Sequence, residues 1–164
     1  MEAKKSIQEQ RLRNIEITSY NSKWDQSFYE LNKSWIEEFW MLEDSDLKDL
    51  LKPEESIIDL GGEIFFALAN SIVVGTAAMI PFPNSKIELA KMTVQKEYRG
   101  NGISKILLKK CIDYGKASKA KEIFLISNSR LLNARKLYDK FGFLEVDLDS
   151  NKYKRGNYKM VLRL

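Results

Sequence analysis

Val94-Gln95-Lys96-Glu97-Tyr98-Arg99-Gly100-Asn101-Gly102-Ile103-Ser104-Lys105 is the stretch on which the reading of this chain turns. It follows the apolar, β-branched run 87–94. It precedes 102–117, where Ile103, Ile106, Leu107, Cys111 and Tyr114 share one helical face. The order is therefore strand, loop, helix, with glycines at the helix N-terminus. Such a loop aims several free backbone N–H groups at one spot, with the helix dipole behind them. Gly100 and Gly102 allow close backbone approach to an anion, and Arg99 adds positive charge. Two familiar phosphate loops are excluded. The G-x-x-x-x-G-K-[ST] pattern is absent, and G-x-G-x-x-G would need glycine at 105, which is Lys105. The plain alternative is a tight strand-to-helix turn that needs glycine and nothing more.

Outward from the loop, the pattern alternates between strand and helix. Ile15 and Ile17 alternate with Glu16 and Thr18 as in a short strand. Trp24, Phe28, Leu31, Trp35 and Phe39 recur at helical spacing over 22–39. A shorter helix fits 45–51, with Ser45 as N-cap and Pro53 beyond its end. The runs 64–69 and 72–80, separated by Asn70-Ser71, read as a hairpin, and Pro81-Phe82-Pro83-Asn84 reads as a second turn. Downstream lie a strand over 121–127, a helix over 130–141 with Ser129 as N-cap and Gly142 at C′, and final strands over 143–146 and 157–164. The sum is a mixed α/β sheet. Residues 1–12 read as a frayed helix or tail.

The chain has 164 residues, enough for one ordinary domain over 1–164. Hydrophobic residues are 44% and charged residues 30%, a globular balance. No apolar run is long enough for a membrane span, and the charged N-terminus lacks a secretory apolar core. One cysteine excludes an internal disulfide and agrees with a reducing cytoplasm. There is no histidine, so Ser-His-Asp and Cys-His systems and His-ligated zinc are all excluded. Acid–base chemistry falls to Glu, Asp, Tyr, Lys, the lone cysteine or water. A net charge of +4 suits a polyanionic small ligand and is too diffuse to argue for nucleic acid. In the stretch from Lys4-Lys5 to Arg11 and Arg13 the basic residues are interleaved with acids.

Y-R-G-N-G-I-S over 98–104 resembles the R/Q-x-x-G-x-G/A pyrophosphate loop of the GNAT acetyltransferases. Arg99, Gly102 and Ser104 fall on its defined positions, Ser104 departing where Gly or Ala is usual. A second segment, from Asn128 through Ala134, Leu137, Tyr138 and Gly142 to Phe143, is similar to the family's A-x-x-L-Y-x-x-x-G-F pattern. The two motifs, correctly ordered, cover roughly 87–146. The resemblance implies the acyl-CoA N-acyltransferase fold: a mostly antiparallel sheet with one splayed parallel pair and flanking helices. It further implies acetyl transfer from acetyl-CoA, without a metal, to a primary amine of a small molecule or peptide. A non-catalytic acyl-CoA sensor on the same fold is the alternative. No nucleic-acid or membrane partner is implied, and a monomer or homodimer is expected.

The resemblance also assigns residues. Arg99, Gly100, Asn101, Gly102, Ile103 and Ser104 would hold the phosphates, and the main chain of Met92 and Val94 the pantetheine arm. Glu88 matches a position where some relatives carry a general-base glutamate; a strand salt bridge with Lys91 or Lys86 is the other reading. Glu63 and Glu54 are weaker candidates. Tyr138 matches the family's general acid, which meets the departing thiolate, and it also belongs to a buried stripe with Ala134, Leu137 and Phe141. Asn128 either bonds the pantetheine or caps the next helix. Trp35, Phe39 and Trp40 would wall the acceptor pocket. Cys111 reads as core, and the 152–155 run most simply as a solvated loop, with contact to an acidic acceptor as the other reading.

Overall fold

Apolar runs without polar alternation need burial on both faces, and the middle of this chain is built from such runs. The computed structural model describes Glu9 and residues 14–149 and 152–164. Apart from Glu9, the tail expected over 1–12 lies outside the described residues. In chain order the elements are β1 (Ile15–Thr18), α1 (Asp25–Glu37), α2 (Asp44–Leu51), β2 (Glu63–Ala69), β3 (Ile72–Phe82) and β4 (Lys86–Val94). They continue with α3 (Ile103–Ala117), β5 (Glu122–Ser127), α4 (Leu132–Lys140), β6 (Leu144–Val146) and β7 (Tyr158–Arg163). The strands form one sheet in the order β1-β2-β3-β4-β5-β7-β6. Every neighbouring pair is antiparallel except β4 and β5.

Both sheet faces are covered. Alternate residues of β2 divide between them. Phe65 and Ala67 join Leu107, Leu108, Cys111, Leu125 and Phe143 under α3 and α4. Ile64, Phe66 and Leu68 join Phe28, Ile36, Leu50 and Ile57 under α1 and α2. Cys111 is fully buried, as its helical face requires, and burial pushes its thiol pKa up.

Three local expectations are corrected. Ser45 does not cap α2: Glu43 does, its side chain accepting from the Asp46 N–H while the Asp46 carboxylate accepts from the Glu43 N–H at 3.0 Å. Ser129 does not cap α4, whose N-cap position is Leu131 with no side-chain bond; Ser129 Oγ instead accepts from Asn157 Nδ2 at 2.9 Å. The turn expected over 81–84 is displaced, because β3 runs on through Phe82. A π-turn over Glu54–Ile58 had no sequence signal.

Candidate active site

The parallel pair, β4 with β5, opens almost as soon as it forms. Pairing between β4 and β5 covers Lys86 with Glu122, Ile87 with Ile123 and Glu88 with Phe124, and stops there. Beyond it β4 carries a bulge: Lys91 has φ +52°, and the register with β3 shifts between Thr76 and Ala78. Thr76 Oγ1 donates to the Lys91 carbonyl at 2.8 Å and accepts from Asn32 Nδ2 of α1 at 3.1 Å, which pins the bulge. The diverging ends leave a cleft of about 920 Å³, lined on one side by Met92, Thr93 and Val94 and on the other by Leu125, Ser127 and Asn128.

The glycine loop closes one end of the cleft. Gly100 and Gly102 have φ +78° and +81°, and a Cβ on either would meet nothing within 4 Å. Their openness therefore serves the space outside, together with a left-handed backbone that glycine adopts freely. The first intrahelical bond of α3 is Ile106 N–H to the Gly102 carbonyl at 3.2 Å. The N–H groups of Ile103, Ser104 and Lys105 thus precede any helical acceptor. Gly100, Gly102, Ile103 and Ser104 line the cleft; Asn101 does not, and its Nδ2 braces the loop on the Tyr98 and Arg99 carbonyls. Arg99 lines the cleft, but its guanidinium is already occupied. It donates to Glu38 at 3.2 and 2.7 Å and to the Val94 carbonyl at 2.9 Å, and these bonds hold the Glu38 carboxyl below its ordinary range. Part of the positive charge read into the loop is therefore answered within the protein. The backbone cradle fits a pyrophosphate without it.

Tyr138 fills the floor. It is 8% exposed, packs 5.8 Å from Phe143 between ring centroids, and lines the cleft. Its hydroxyl has no hydrogen-bond partner among the described residues. Burial, then the neighbouring Tyr158 and Cys111, push its pKa up, so it stays a proton donor at neutral pH. Both sequence readings of Tyr138, stripe member and cleft residue, describe the same position. Trp35, Phe39 and Trp40 line the opposite wall, with Trp40 within 6.1 Å of Trp35 and 5.4 Å of Phe39. Asn128 lines the cleft, but its amide is engaged locally: Nδ2 donates to the Arg155 carbonyl at 2.7 Å and Oδ1 accepts from the Arg130 N–H at 2.8 Å.

Glu88 lies behind the wall. It is 1% exposed, does not line the cleft, and its Oε1 is paired with Lys152, while Oε2 is buried without a hydrogen-bond partner among the described residues. The salt bridge expected with Lys91 or Lys86 is thus made with Lys152, in the interior. Neither Glu63, which accepts from the Tyr20 and Ile64 N–H groups, nor Glu54 lines the cleft. The 152–155 run is no solvated loop, because it inserts among acids. Arg155 binds Asp46 at 2.6 and 2.8 Å and Glu43 at 3.0 Å, and Lys152 also approaches Asp49 at 3.6 Å. Lys91 donates to Asp46 at 2.8 Å. Tyr153, 7% exposed, lines the cleft with an unpartnered buried hydroxyl. Burial, then the charges of Glu88, Asp49 and Asp46, push that hydroxyl's pKa up. Lys91, Arg130 and Asn133 are among the lining residues to which sequence reasoning gave no part in the site. Arg130 and Asn133 lie inside the second motif and so carried a local signal.

Comparison with known proteins bears on this site. The sequence profile described as the Acetyltransferase (GNAT) family matches residues 10–143. N-acetyltransferase 8B of Homo sapiens is 27% identical over 104 residues, 60% of this chain and 45% of that protein. The chain thus spans about half the length of the curated relatives it matches. A GNAT-family acetyltransferase from Staphylococcus aureus Mu50 superposes with a TM-score of 0.84 and 28% identity, covering 92% of this chain and 99% of that one. The PaiA N-acetyltransferase of Thermoplasma acidophilum, solved in complex with coenzyme A, shares the fold at a TM-score of 0.71 and 18% identity, covering 92% and 99%.

Proposed function

Since the chain belongs to the GNAT acetyltransferase family, we propose that it moves an acetyl group from acetyl-CoA to a primary amine of a small molecule or peptide by direct attack. The observation that carries this reading is the joining of two features in one cleft: the open α3 N-terminus and Tyr138, whose hydroxyl has no hydrogen-bond partner among the described residues. Gly100, Gly102, Ile103 and Ser104 hold the pyrophosphate through backbone N–H groups, with Lys105 beside them. Met92, Thr93 and Val94 offer main chain to the pantetheine amides. Tyr138, protonated at neutral pH, gives a hydrogen bond or proton to the departing thiolate.

The amine must lose a proton before it attacks. Glu88 is off the cleft, so we assign it an indirect part: the proton passes by way of the Tyr153 hydroxyl or a water there to the unpartnered Oε2. One observation favours the alternative, an acyl-CoA sensor: Glu88 is already tied to Lys152. The proposed location is cytoplasmic, resting on the single buried thiol. Among the described residues no helix is long and apolar enough to cross a membrane.

The test is CoA-thiol release from acetyl-CoA against a panel of amines, amino acids, peptides and polyamines. At least one acceptor should stimulate release. Tyr138→Phe should then lower kcat about tenfold or more while leaving the acetyl-CoA Kd little changed. Binding of acetyl-CoA with no stimulation by any amine would establish the sensor. Equal turnover in the two proteins would make Tyr138 a core residue only.

A further inference from the structure

Of the three cations on the wall facing the acceptor, Arg130 is exposed while Lys91 and Arg155 are largely buried against acids. Lys91, Arg130 and Arg155 line the cleft, whereas Glu43, Asp46, Asp49 and Glu88 stand behind it. The single acid among the lining residues, Glu38, is neutralised by Arg99. Lys91 and Arg155 are fixed from behind by Asp46, which receives both. Each still has N–H donors that these pairs do not use.

Arg130 differs from the other two. Its backbone N–H is held by Asn128 Oδ1 at 2.8 Å, and its guanidinium lies 5.7 Å from the Phe39 ring centroid and 6.0 Å from that of Trp40. No carboxylate pairs with it among the described residues. The aromatic faces attract the cation without using its hydrogen-bond donors. What remains is a planar, permanently charged fork at the mouth of the cleft, the geometry that suits a carboxylate. An acceptor bearing extra ammonium groups would meet the Arg130 guanidinium as like charge.

From this arrangement we propose that the acceptor is an amine that carries a carboxylate, of the amino-acid class. Arg130 takes the carboxylate over Phe39 and Trp40, while the charges of Lys91 and Arg155 are answered by Asp46 and Glu43 behind the wall. The assignment rests on the transferase reading above and names the substrate class of the same site.

The experiment compares phenylalanine, phenylalaninamide and spermidine as acceptors for the wild type, Arg130→Ala and Arg130→Lys. The amide's amine is less basic and so more available at neutral pH; a preference for the acid would run against that. We expect kcat/KM for the acid to exceed that for the amide by about tenfold or more, the size of a charged hydrogen bond. Arg130→Ala should raise KM for the acid by a similar factor and leave kcat, the amide and the acetyl-CoA Kd unchanged. Arg130→Lys should restore part of the loss. Equal use of the amide, a preference for spermidine, or a weakened acetyl-CoA Kd in Arg130→Ala would each overturn the carboxylate assignment.

A second readout needs no turnover. N-acetylphenylalanine, but not its amide, should perturb the fluorescence of the wall tryptophans, and equal or absent perturbation by the two would overturn the assignment. Acid-selective perturbation without acetylation of any acceptor would overturn the transferase reading alone.

Discussion

Asp46 joins two cations from distant parts of the chain. It is fully buried, and its two oxygens accept from Lys91, Arg155 and the Glu43 N–H. Burial alone would raise its pKa; the Arg155 hydrogen bonds and the Lys91 charge outweigh that and bring it down to about 2 from an ordinary 3.8. The folded state therefore binds the proton less readily than the unfolded chain. The resulting stability is complete above about pH 4 and is lost as pH falls towards 2, amounting to about 2 kcal/mol. Asp46→Asn leaves two cations facing one another in the interior. It should cost about 3–5 kcal/mol at pH 7, with a flatter acid limb between pH 4 and 2. Denaturant titrations at pH 7 and pH 3 read both, and an unchanged midpoint at pH 7 would remove Asp46 from this role. None of this was legible in the sequence. Lys91 is 45 residues from Asp46 and Arg155 is 109, separations at which no periodicity speaks.

The β4–α3 connection is the element that sequence patterning resolved best, because its signal is local. A strand period, two glycines and a helical stripe follow in order, and each is set by backbone conformation at its own position. Caps were less legible. Ser45 and Ser129 carry good capping chemistry, yet Glu43 reached its N3 partner first, and Ser129 was drawn to Asn157. Competition among nearby side chains decided both, and that depends on tertiary placement. The β4–α3 turn itself makes a specific prediction. Gly102 has φ +81° and open space around it, so Gly102→Asp should fold with a loss of about 1–2 kcal/mol from the left-handed backbone. Its carboxylate would face the anion directly. Acetyl-CoA should raise the Tm of the wild type and leave that of the variant unmoved. An equal shift in the two would show that the turn serves only to connect strand and helix.

At the scale of the molecule, the sheet places chemistry by divergence. Because β4 and β5 pair only through Glu88 and Phe124, the ends of both strands, the start of α3 and the inward face of α4 converge on one cleft. The two motifs contain Gly102 and Tyr138, and both residues line the cleft. They did not tell that Glu88 would face away, since strand side is fixed by register and by the bulge at Lys91. Nor did they show that the 152–155 run would supply a buried wall.

The account as a whole rests on acetyl-CoA occupying this cleft. Hydrogen–deuterium exchange of the intact protein, with and without saturating acetyl-CoA, tests that most directly. Slowed exchange should appear at the amides of residues 100–105 and along 92–94 and 131–138, with β1, β2 and α2 unchanged. Protection confined to other segments, or no protection at all, would contradict the account.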